Sequence, residues 1–423
     1  MNIVIDNSGY GLDNIGDVAM LQVAVERLNK IWPEANIHVI SQDSAKLTSL
    51  IPNAEFFSST TKRAWQSDYN LIGGLKHLFP KKMQNSLKNF EAYIRINFPE
   101  ISLMVLAWRF GKTSPNFLNA KKMLELISKS DLVIATGGGY VNDTFSSHAS
   151  KLLDVLLLAQ YFQKPTAMLG QGLGPLSNKD LSKKFKRVLS HLQLISLREG
   201  AFSPKILECL SALSEKPTVI VSGDDAIEKS YTSRTHKIGN KVGLNIRNAS
   251  YANLPEGTIE KLSLQIELYI RNKNTSYQLL PISLVSNEES DIYALASLLK
   301  LDTQQLYKSE MSLSVNTIIE RVSECRVVVT GSYHAALFAL SQGIQVIGLT
   351  ASKYYDSKFM GLLKQFESGV QILHLNDEVD KLQEYLDFAW NNAETERDKL
   401  LNRAAEQIGN GRKAYIQLES LVT

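Results

Sequence analysis

A histidine at a predicted strand-to-helix junction is the residue of this sequence best suited to acid–base chemistry. The apolar run 327–330 is followed by Gly331, Ser332, Tyr333 and His334, and an apolar helical pattern comes next. His334 is therefore predicted to lie in the first turn of a helix, where the helix dipole lowers its pKa and favours the neutral imidazole. Because a neutral imidazole accepts protons, His334 is a candidate catalyst, although a lone histidine is more often structural.

Positively charged residues near the ends of other apolar runs suit the recognition of an anion. Arg198, Lys353 and Lys358 each come shortly after such a run. The planar fork of an arginine pairs with a carboxylate or a phosphate through two hydrogen bonds, and a lysine offers a compact positive charge. The alternative interpretations are a salt bridge from Arg198 to a nearby acid such as Asp224, and solvated lysines.

Polar and glycine-rich turns after the remaining apolar runs supply candidate ligand contacts. Backbone amides exposed by adjacent glycines bind anions or sugars, and a carboxylate accepts hydrogen bonds from hydroxyl groups. Asp17 is such a carboxylate and a second candidate catalytic residue. The other candidate substrate-binding residues are Asn14, Gly16, Gly138, Gly139, Asn142, Gln171 and Asp225. The alternative for each turn is a structural role as a helix cap or a loop.

Two kinds of site are disfavoured by the same turns. The three consecutive glycines at 137–139 do not match Gly-x-Gly-x-x-Gly, which argues against a dinucleotide site. No histidine stands near Asp224 and Asp225 in the sequence, so no metal is expected there.

The candidate residues follow apolar runs that alternate with helical patterns, and this alternation indicates the fold. Runs that are apolar at every position, such as 132–135, are typical of strands buried on both faces of a parallel sheet. The sequence predicts an α/β fold with two doubly wound, Rossmann-like domains facing a cleft. The predicted segments are a first domain at 1–230 with a basic, aromatic helical insertion near 61–125, a second domain at 240–390, and a C-terminal helical segment at 391–423.

Composition and charge narrow the functional classes. The chain has 423 residues and a net charge of +3, which suits two globular domains and does not indicate nucleic-acid binding. The insertion differs, because residues 61–125 hold 11 Lys and Arg against 4 Asp and Glu, a net charge of +7. The two cysteines, Cys209 and Cys325, lie far apart, which argues against a zinc ribbon or disulfides. With no signal peptide or membrane-spanning run in view, a cytoplasmic protein is expected.

Five motifs occur in a fixed order along the chain. They are Asn14-x-Gly16-Asp17, Gly137-Gly138-Gly139, Gly170-Gln171-Gly172-x-Gly174-Pro175, Arg198-Glu199, and the His334 turn followed by Tyr355-x-x-Lys358. Together they resemble the polysaccharide pyruvyl transferase family. The resemblance implies a fold like the two-domain glycosyltransferase B class. It also implies an enzyme that transfers pyruvate from phosphoenolpyruvate, as a cyclic ketal, to a sugar of a bacterial exopolysaccharide or cell-envelope glycan.

The resemblance also assigns roles within the site. His334 resembles the essential histidine of the family, Arg198 its first-domain arginine, and Lys358 its lysine. Many members carry an arginine two residues before the histidine, where this chain has Ser332. Losing that arginine would weaken donor binding by ~1.5–3 kcal/mol unless Lys353 or Arg247 replaces it. The expected donor-binding residues are Arg198, Lys358, Lys353, Ser332 and Tyr333, with phosphoenolpyruvate as co-substrate and no cofactor.

Other functions stay open at this point. A nucleotide-sugar glycosyltransferase could use the same fold, but it usually holds ribose hydroxyls with an acid in the second domain, where this chain has lysines and tyrosines. A non-catalytic glycan-binding relative is the other alternative, and the presence of His334, Arg198 and Lys358 together argues against it. The basic insertion suggests peripheral contact with the inner membrane face, where lipid-linked sugar acceptors lie, against an ordinary helical layer or a dimer contact.

Overall fold

The computed structural model contains two separate parallel sheets, and it describes residues 1–208, 216–247, 255 and 257–422. Cys209 therefore lies outside the described residues. The first sheet is formed by β1 (Asn2–Asp6), β2 (Asn36–Ser41), β3 (Glu55–Ser58), β4 (Leu132–Ala135), β5 (Gly138–Val141), β6 (Thr166–Leu173), β7 (Leu194–Leu197) and β8 (Thr218–Val221). Its strand order is β3-β2-β1-β4-β6-β7-β8, with β5 paired to β6. All of these pairings are parallel.

The second sheet has five strands, all paired in parallel, in the order β10-β9-β11-β12-β13. Its strands are β9 (Lys241–Asn245), β10 (Tyr277–Leu279), β11 (Cys325–Thr330), β12 (Gln345–Thr350) and β13 (Val370–His374). Every residue of β4 and of β12 is buried. These strands are covered on both faces, as their apolar sequences predict, and the α/β fold with two Rossmann-like sheets is confirmed.

Helices connect the strands in both halves of the chain. Those up to residue 232 are α1 (Ile15–Ile31), α2 (Ser44–Leu50), α3 (Ser59–Gln66), α4 (Gln84–Asn97), α5 (Pro99–Phe110), α6 (Pro115–Lys129), α7 (Ser146–Tyr161), α8 (Lys179–Leu189), α9 (Ser203–Ile206) and α10 (Ala226–Thr232). Those that follow are α11 (Thr258–Lys273), α12 (Asp291–Leu299), α13 (Thr303–Glu310), α14 (Val315–Ser323), α15 (Tyr333–Ser341), α16 (Lys353–Phe366), α17 (Leu382–Asn391) and α18 (Ala393–Val422). Short 3-10 turns lie at Gly73–Leu78, Lys81–Met83 and Val379–Lys381.

The basic, aromatic segment between β3 and β4 forms the helices α3 to α6 and the first two 3-10 turns. Within the segment α3 packs on α6, and the segment is joined to the rest of the first domain by the packing of α4 and α6 on α7, of α6 on β1 and of α3 on β3. The segment thus adds a helical layer beside the sheet and leaves the order of the strands unchanged.

The C-terminal helix α18 returns from the second domain to the first. It contacts α15, α16 and β12 of the second domain, and α1, α10 and strands β6 to β8 of the first. Tyr415 of this helix is buried, and its hydroxyl donates a hydrogen bond to Asp225 at the start of α10 (2.7 Å). The helix therefore fastens the two domains together on the side away from β1 to β3.

Candidate active site

A cavity between the two domains is lined by residues that follow strands of both sheets. The loop after β1 contacts the second domain directly: the N–H of Ile15 donates to the carbonyl of Ile282 (2.9 Å), and that of Leu284 donates to the carbonyl of Asp13 (2.7 Å). Beside this contact lies a cavity of about 400 Å³, here called the first cavity. Its volume suits a small-molecule ligand, and its position at the carboxyl ends of parallel strands is where such folds bind ligands.

His334 lies on the wall of the first cavity, in the first turn of α15. Its side chain is buried, and Nε2 makes no hydrogen bond within the described residues. Burial, assisted by Arg198 and Lys358, lowers the pKa of His334 well below its usual value, so the imidazole is neutral. A Cβ atom at Gly16 would overlap the imidazole ring, which means that a glycine is needed for α1 to approach α15 this closely.

Asp224 is the acid closest to His334, with 3.8 Å between Oδ2 and Nε2. The carboxyl group is buried, and its Oδ1 accepts a hydrogen bond from the N–H of Ala226 (3.0 Å), but Oδ2 has no hydrogen-bond partner in the described part of the chain. Burial raises the pKa of Asp224 to about 7, against the opposing effect of Arg198. The raised pKa allows this carboxyl to carry a proton near neutral pH. Asp224 was not among the predicted site residues.

Arg198 points into the first cavity from the end of β7, as its position after an apolar run indicates. Its guanidinium carbon lies 4.2 Å from the ring centre of Tyr333, and Nη1 lies 3.9 Å from Oδ2 of Asp224. A Cβ atom at either Gly139 or Gly172 would overlap the guanidinium group. These two glycines therefore provide the space for Arg198, which explains part of the glycine content of the two loops.

Two further cations enter the first cavity from the second domain. Arg247, which follows β9, donates to the fully buried carboxylate of Asp291 (2.9 Å between Nη1 and Oδ1) and is held at the cavity wall by it. Lys358 lies on α16, and burial together with Arg198 and Arg247 lowers its pKa well below the usual value. The cavity thus holds like charges close together and away from water. An anionic ligand would offset both the repulsion between these charges and the loss of their hydration.

Asp17 also lines the first cavity, in the first turn of α1. The side chain of Asn14 caps this helix by accepting from the N–H groups of Gly16 (3.0 Å) and Asp17 (3.2 Å). Burial raises the pKa of Asp17 to about 6, and a hydrogen bond from Ser8 and the charge of Arg198 act in the opposite direction. At neutral pH Asp17 is therefore mostly ionised and able to accept hydrogen bonds from hydroxyl groups.

The donor-site positions Ser332 and Tyr333 also line the first cavity, together with Asn14 and Gly139. Six further lining residues were not among the predicted site residues: Ser8, Tyr140, Phe145, His148, Ile282 and Tyr355. Two of these lie beyond the turn that follows β4, at the start of α7, where no pattern of strand followed by glycine marks them.

A second cavity of about 400 Å³ adjoins the first and has more apolar walls. The two cavities share Gly139, Arg198, Tyr333 and Lys358. Lys353 lines only the second cavity, so the structure does not bring it to the first cavity with Arg198 and Lys358 as the sequence-based donor site supposed. Of the two residues considered as substitutes for the missing arginine at 332, it is Arg247 that reaches the first cavity.

Asp225 does not line either cavity, although it was predicted to bind substrate. Its carboxylate receives hydrogen bonds from Arg27 (2.5 Å) and from Tyr415 (2.7 Å), both on helices behind the sheet. The structure therefore places Asp225 in a buried ionic contact between α1, α10 and α18. Its neighbour Asp224 does not line either cavity, but its fully buried carboxyl lies directly behind the cavity wall, next to Arg198 and His334.

Four other predicted substrate-binding residues also lie outside the two cavities, and one of them is Gly16, which packs against the ring of His334. Gln171 is fully buried and donates from Nε2 to main-chain carbonyls of the first domain (2.8 and 3.0 Å). Asn142 donates to the carbonyl of Gly139 (2.6 Å). A Cβ atom at Gly138 would overlap the ring of Tyr140. In this structure these residues shape the loops around the site and do not reach its open space.

Comparison with known proteins agrees with the order of the motifs and with the fold. The family model described as polysaccharide pyruvyl transferase matches residues 14–353. No curated protein matches the chain. Among solved structures, the UDP-GlcNAc 2-epimerase from Neisseria meningitidis bound to UDP-GlcNAc is similar with a TM-score of 0.57 and 14% identity, over 100% of this chain and 99% of that one.

Two further solved structures show the same fold. A UDP-N-acetylglucosamine 2-epimerase has a TM-score of 0.52 and 12% identity over 99% of this chain and 94% of its own. A UDP-glucose: anthocyanidin 3-O-glucosyltransferase in complex with UDP has a TM-score of 0.50 and 10% identity over 100% and 98% of the two chains. The expected likeness to the glycosyltransferase B fold is confirmed. Since the family model spans most of the chain, this protein belongs to the polysaccharide pyruvyl transferase family and is a transferase.

Proposed function

We propose that this transferase moves a pyruvyl group from phosphoenolpyruvate to two hydroxyl groups of one sugar in a glycan precursor. The observation that carries the proposal is the set of cations in the first cavity, Arg198, Arg247 and Lys358. Phosphoenolpyruvate has a carboxylate and a phosphate on one small molecule, roughly three negative charges at neutral pH. A small molecule with about three negative charges matches the three cations better than a neutral sugar does.

In this proposal the two arginines and the lysine divide the donor between them. Arg198 pairs with the carboxylate, because its planar fork suits two parallel hydrogen bonds. Arg247 and Lys358, both from the second domain, hold the phosphate. Arg247 takes the place of the arginine that many family members carry at the position of Ser332, and Ser332 remains a smaller contact on the same wall.

The first chemical step forms a bond between a sugar oxygen and the enol carbon. Neutral His334 takes the proton of the attacking hydroxyl. Protonated Asp224, buried next to His334 behind the cavity wall, is the proposed source of the proton that turns the methylene carbon into a methyl group. The product of this step is a tetrahedral adduct that still carries the phosphate, with His334 now protonated and Asp224 ionised. Asp17 orients the hydroxyl pair by accepting hydrogen bonds from it.

The second step closes the ketal and restores both catalytic groups. The neighbouring hydroxyl attacks the same carbon and gives its proton to Asp224, while the bond from that carbon to the phosphate oxygen breaks. Phosphate leaves with the bonding electrons and receives the proton from His334. One phosphoenolpyruvate and one diol thus become one ketal and one phosphate, and this scheme includes no metal and no cofactor.

The second cavity is our proposed entrance for the acceptor. Phe202, Ile206 and Leu173 give it apolar walls, and Lys205 and Lys353 lie among them. Apolar walls with a few polar groups are typical of sites that hold an organic ligand in one orientation. The shared wall formed by Arg198, Tyr333 and Lys358 would bring the sugar next to the donor.

Calorimetric titration of phosphoenolpyruvate into the full-length protein tests the donor. Arg247→Ala is expected to weaken binding by about ten- to a hundredfold, because it removes a charged hydrogen-bonding partner worth ~1.5–3 kcal/mol. Lys353→Ala is the matched control and is expected to change the affinity by less than about threefold, since Lys353 lies outside the first cavity. Equal losses in both variants would place the donor in the second cavity.

UDP-N-acetylglucosamine serves as the second ligand in the same titration. The alternative function, a glycosyltransferase that uses a nucleotide sugar, has the support of solved structures with this fold that hold UDP-GlcNAc or UDP. Binding of the nucleotide sugar with no binding of phosphoenolpyruvate would replace the pyruvyl transfer proposal by this alternative.

The adjacent acids Asp224 and Asp225 provide a test of the acid–base scheme. Asp224 must be protonated to donate, so kcat/KM of the wild type is expected to fall as the pH rises above about 7. Asp224→Asn should lower kcat/KM by about a hundredfold and lose this alkaline limb. Asp225→Asn should keep the limb and lower the free energy of unfolding by about 1–3 kcal/mol, because Arg27 loses one of its two charged partners. The scheme would be contradicted if Asp225→Asn lost the alkaline limb and Asp224→Asn only lowered the free energy of unfolding.

The proposal also includes a place for the reaction in the cell. A lipid-linked or otherwise activated glycan precursor is the proposed acceptor, and the cytoplasm is the proposed compartment. The test is to compare the transferase activity on a sugar diol attached to a lipid diphosphate with the activity on the free sugar. Higher activity on the first would show that the enzyme recognises the lipid-linked acceptor.

A further inference from the structure

Exposed apolar side chains of this protein are concentrated on the helical insertion. Of the 22 large hydrophobic residues that are exposed in the described chain, 11 lie within residues 75–118, about a tenth of the sequence. They form what is here called the insertion surface: Leu75, Leu78, Phe79, Met83, Phe90, Tyr93, Phe98, Ile101, Met104, Trp108 and Leu118. Monomeric proteins rarely expose so much apolar area in one segment without a partner for it.

Helix α5 shows the pattern most clearly. Ile101, Met104 and Trp108 are exposed by 52%, 65% and 86%, and their spacing of three and four residues places them on one face of the helix. The opposite face buries Ser102 and Leu106. The helix is therefore packed on one side and presents an apolar stripe, ending in an almost fully exposed tryptophan, on the other.

Polar contacts inside the insertion show that this exposure belongs to an ordered structure. The carboxylate of Glu91 is fully buried and accepts from the backbone N–H groups of Tyr69 (2.5 Å) and Ile72 (3.2 Å). Arg109 donates to the carbonyl of Tyr69 (3.1 Å), and Arg95 donates to a neighbouring carbonyl of the same loop (2.9 Å). The charged groups of α4 and α5 thus turn inward to hold the loop, and apolar side chains face outward.

The charge of the insertion indicates the kind of partner. Exposed lysines of the same segment are interleaved in the sequence with the apolar residues, and they include Lys81, Lys82, Lys112 and Lys122. The segment 61–125 has a net charge of +7, and one of its 4 acids is the buried Glu91. Interleaved lysines and large apolar residues suit the surface of an anionic bilayer, where lysines meet headgroups and aromatic side chains enter the interface.

We propose that the insertion surface docks this protein on an anionic lipid bilayer. A second copy of the chain is a poorer partner for the same surface, because two segments of this positive charge would repel each other. Among the residues that the structure describes, no helix has the length and apolar character needed to span a bilayer, so the attachment is through a surface. The proposal rests on exposure and charge and does not depend on the donor or the acid–base scheme.

Docking would also bring the cleft close to the membrane. Helix α4 of the insertion packs directly against α7. His148, in the first turns of α7, lines the first cavity. One helix therefore separates the insertion surface from the site, which suits an acceptor that is itself anchored in the bilayer.

Sedimentation of the full-length protein with vesicles tests the proposal. The vesicles are made of phosphatidylcholine alone or with about one third phosphatidylglycerol. We expect binding to the anionic vesicles at low salt, loss of binding as salt is raised, and little binding to the neutral ones. Met104→Ser with Trp108→Ser, and separately Lys81→Glu with Lys82→Glu, should each reduce binding by about tenfold or more.

Matched variants on α18 control for general effects of the substitutions. Ile416 is 61% exposed and Lys413 is exposed, and both lie far along the chain from the insertion. Ile416→Ser and Lys413→Glu should leave vesicle binding unchanged. Tryptophan emission is expected to shift to the blue when the wild type binds vesicles. If the Trp108→Phe variant still binds but shows no such shift, Trp108 lies at the interface.

Three results would overturn the proposal. They are absence of binding to anionic vesicles at low salt, equal losses in the α18 controls, and concentration-dependent dimerisation that Trp108→Ser abolishes while no vesicles are bound. The last of these would assign the surface to a second copy. Titration of phosphoenolpyruvate without vesicles, repeated on the Trp108→Ser variant, separates these outcomes from a failure of the proposed enzymatic function.

Discussion

His334→Ala is expected to lower turnover by about 10²–10⁴-fold, which is the usual contribution of a general acid–base group. The affinity for phosphoenolpyruvate should change by less than about tenfold, because the imidazole is neutral and the donor is held by the cations. Single-turnover measurements with a sugar diol, together with calorimetry of the donor, would separate the chemical step from binding.

A control for this variant is available on the surface of the first domain. His191 is exposed and lies outside both cavities, so His191→Ala should retain wild-type turnover. If His334→Ala retained more than about a tenth of wild-type turnover, another group would have to transfer the proton, and the scheme would be wrong.

Arg198→Ala is expected to weaken phosphoenolpyruvate binding by about a hundredfold or more. The variant removes two charged hydrogen bonds to the carboxylate and leaves that carboxylate in a poorly solvated cavity. Arg198→Lys should recover only part of the loss, because a lysine restores the charge and not the planar fork. Calorimetry of both variants against the wild type is the measurement.

Arg198→Ala is also expected to change the pKa of His334 in the protein without ligand. Arg198 is one of the groups that lower the pKa of His334 and of Lys358. Removing it should therefore raise the pKa of His334, which NMR titration of the imidazole can follow. An unchanged histidine pKa together with unchanged donor affinity would show that Arg198 has no electrostatic role in the site.

The two sheets and most of the cavity wall follow from local features of the sequence. Strands such as β4 and β12 are apolar at almost every position, and the residues that follow strands in a parallel sheet must lie at its carboxyl edge. His334, Arg198 and Asp17 could be placed near each other on this basis alone. The general region of the site therefore needs only the alternation of strands and helices.

The orientation of adjacent side chains depends on distant contacts. Gly223 has a φ of 77°, and the turn it makes directs Asp224 towards His334 and Asp225 towards α18. A Cβ atom at Gly223 would come within 2.8 Å of Gln407 on α18, and Asp225 is fixed by Tyr415 of the same helix. Since these partners lie almost two hundred residues away in the chain, the sequence around the turn does not reveal them.

Lys353 and Gln171 illustrate two further limits of sequence reasoning. A lysine after a strand can enter either of two adjoining cavities, and the first turn of α16 directs Lys353 to the second one. Gln171 stands in a glycine-rich loop that resembles a binding loop, yet β6 continues through it to Leu173 and buries its amide. A strand that runs past its expected end thus converts a predicted ligand contact into a structural one.

The return of α18 to the first domain determines how far the two domains can be regarded as modules. A protein divided in the segment 233–240 would leave the first domain without the helix that covers β6 to β8 and without the hydroxyl that pairs with Asp225. Exchange of second domains between relatives would therefore transplant part of the first domain's own core. The unit that can be recombined is the second domain without residues 393–422. Exchanging it requires two junctions in the sequence, one in the segment 233–240 and one just before residue 393.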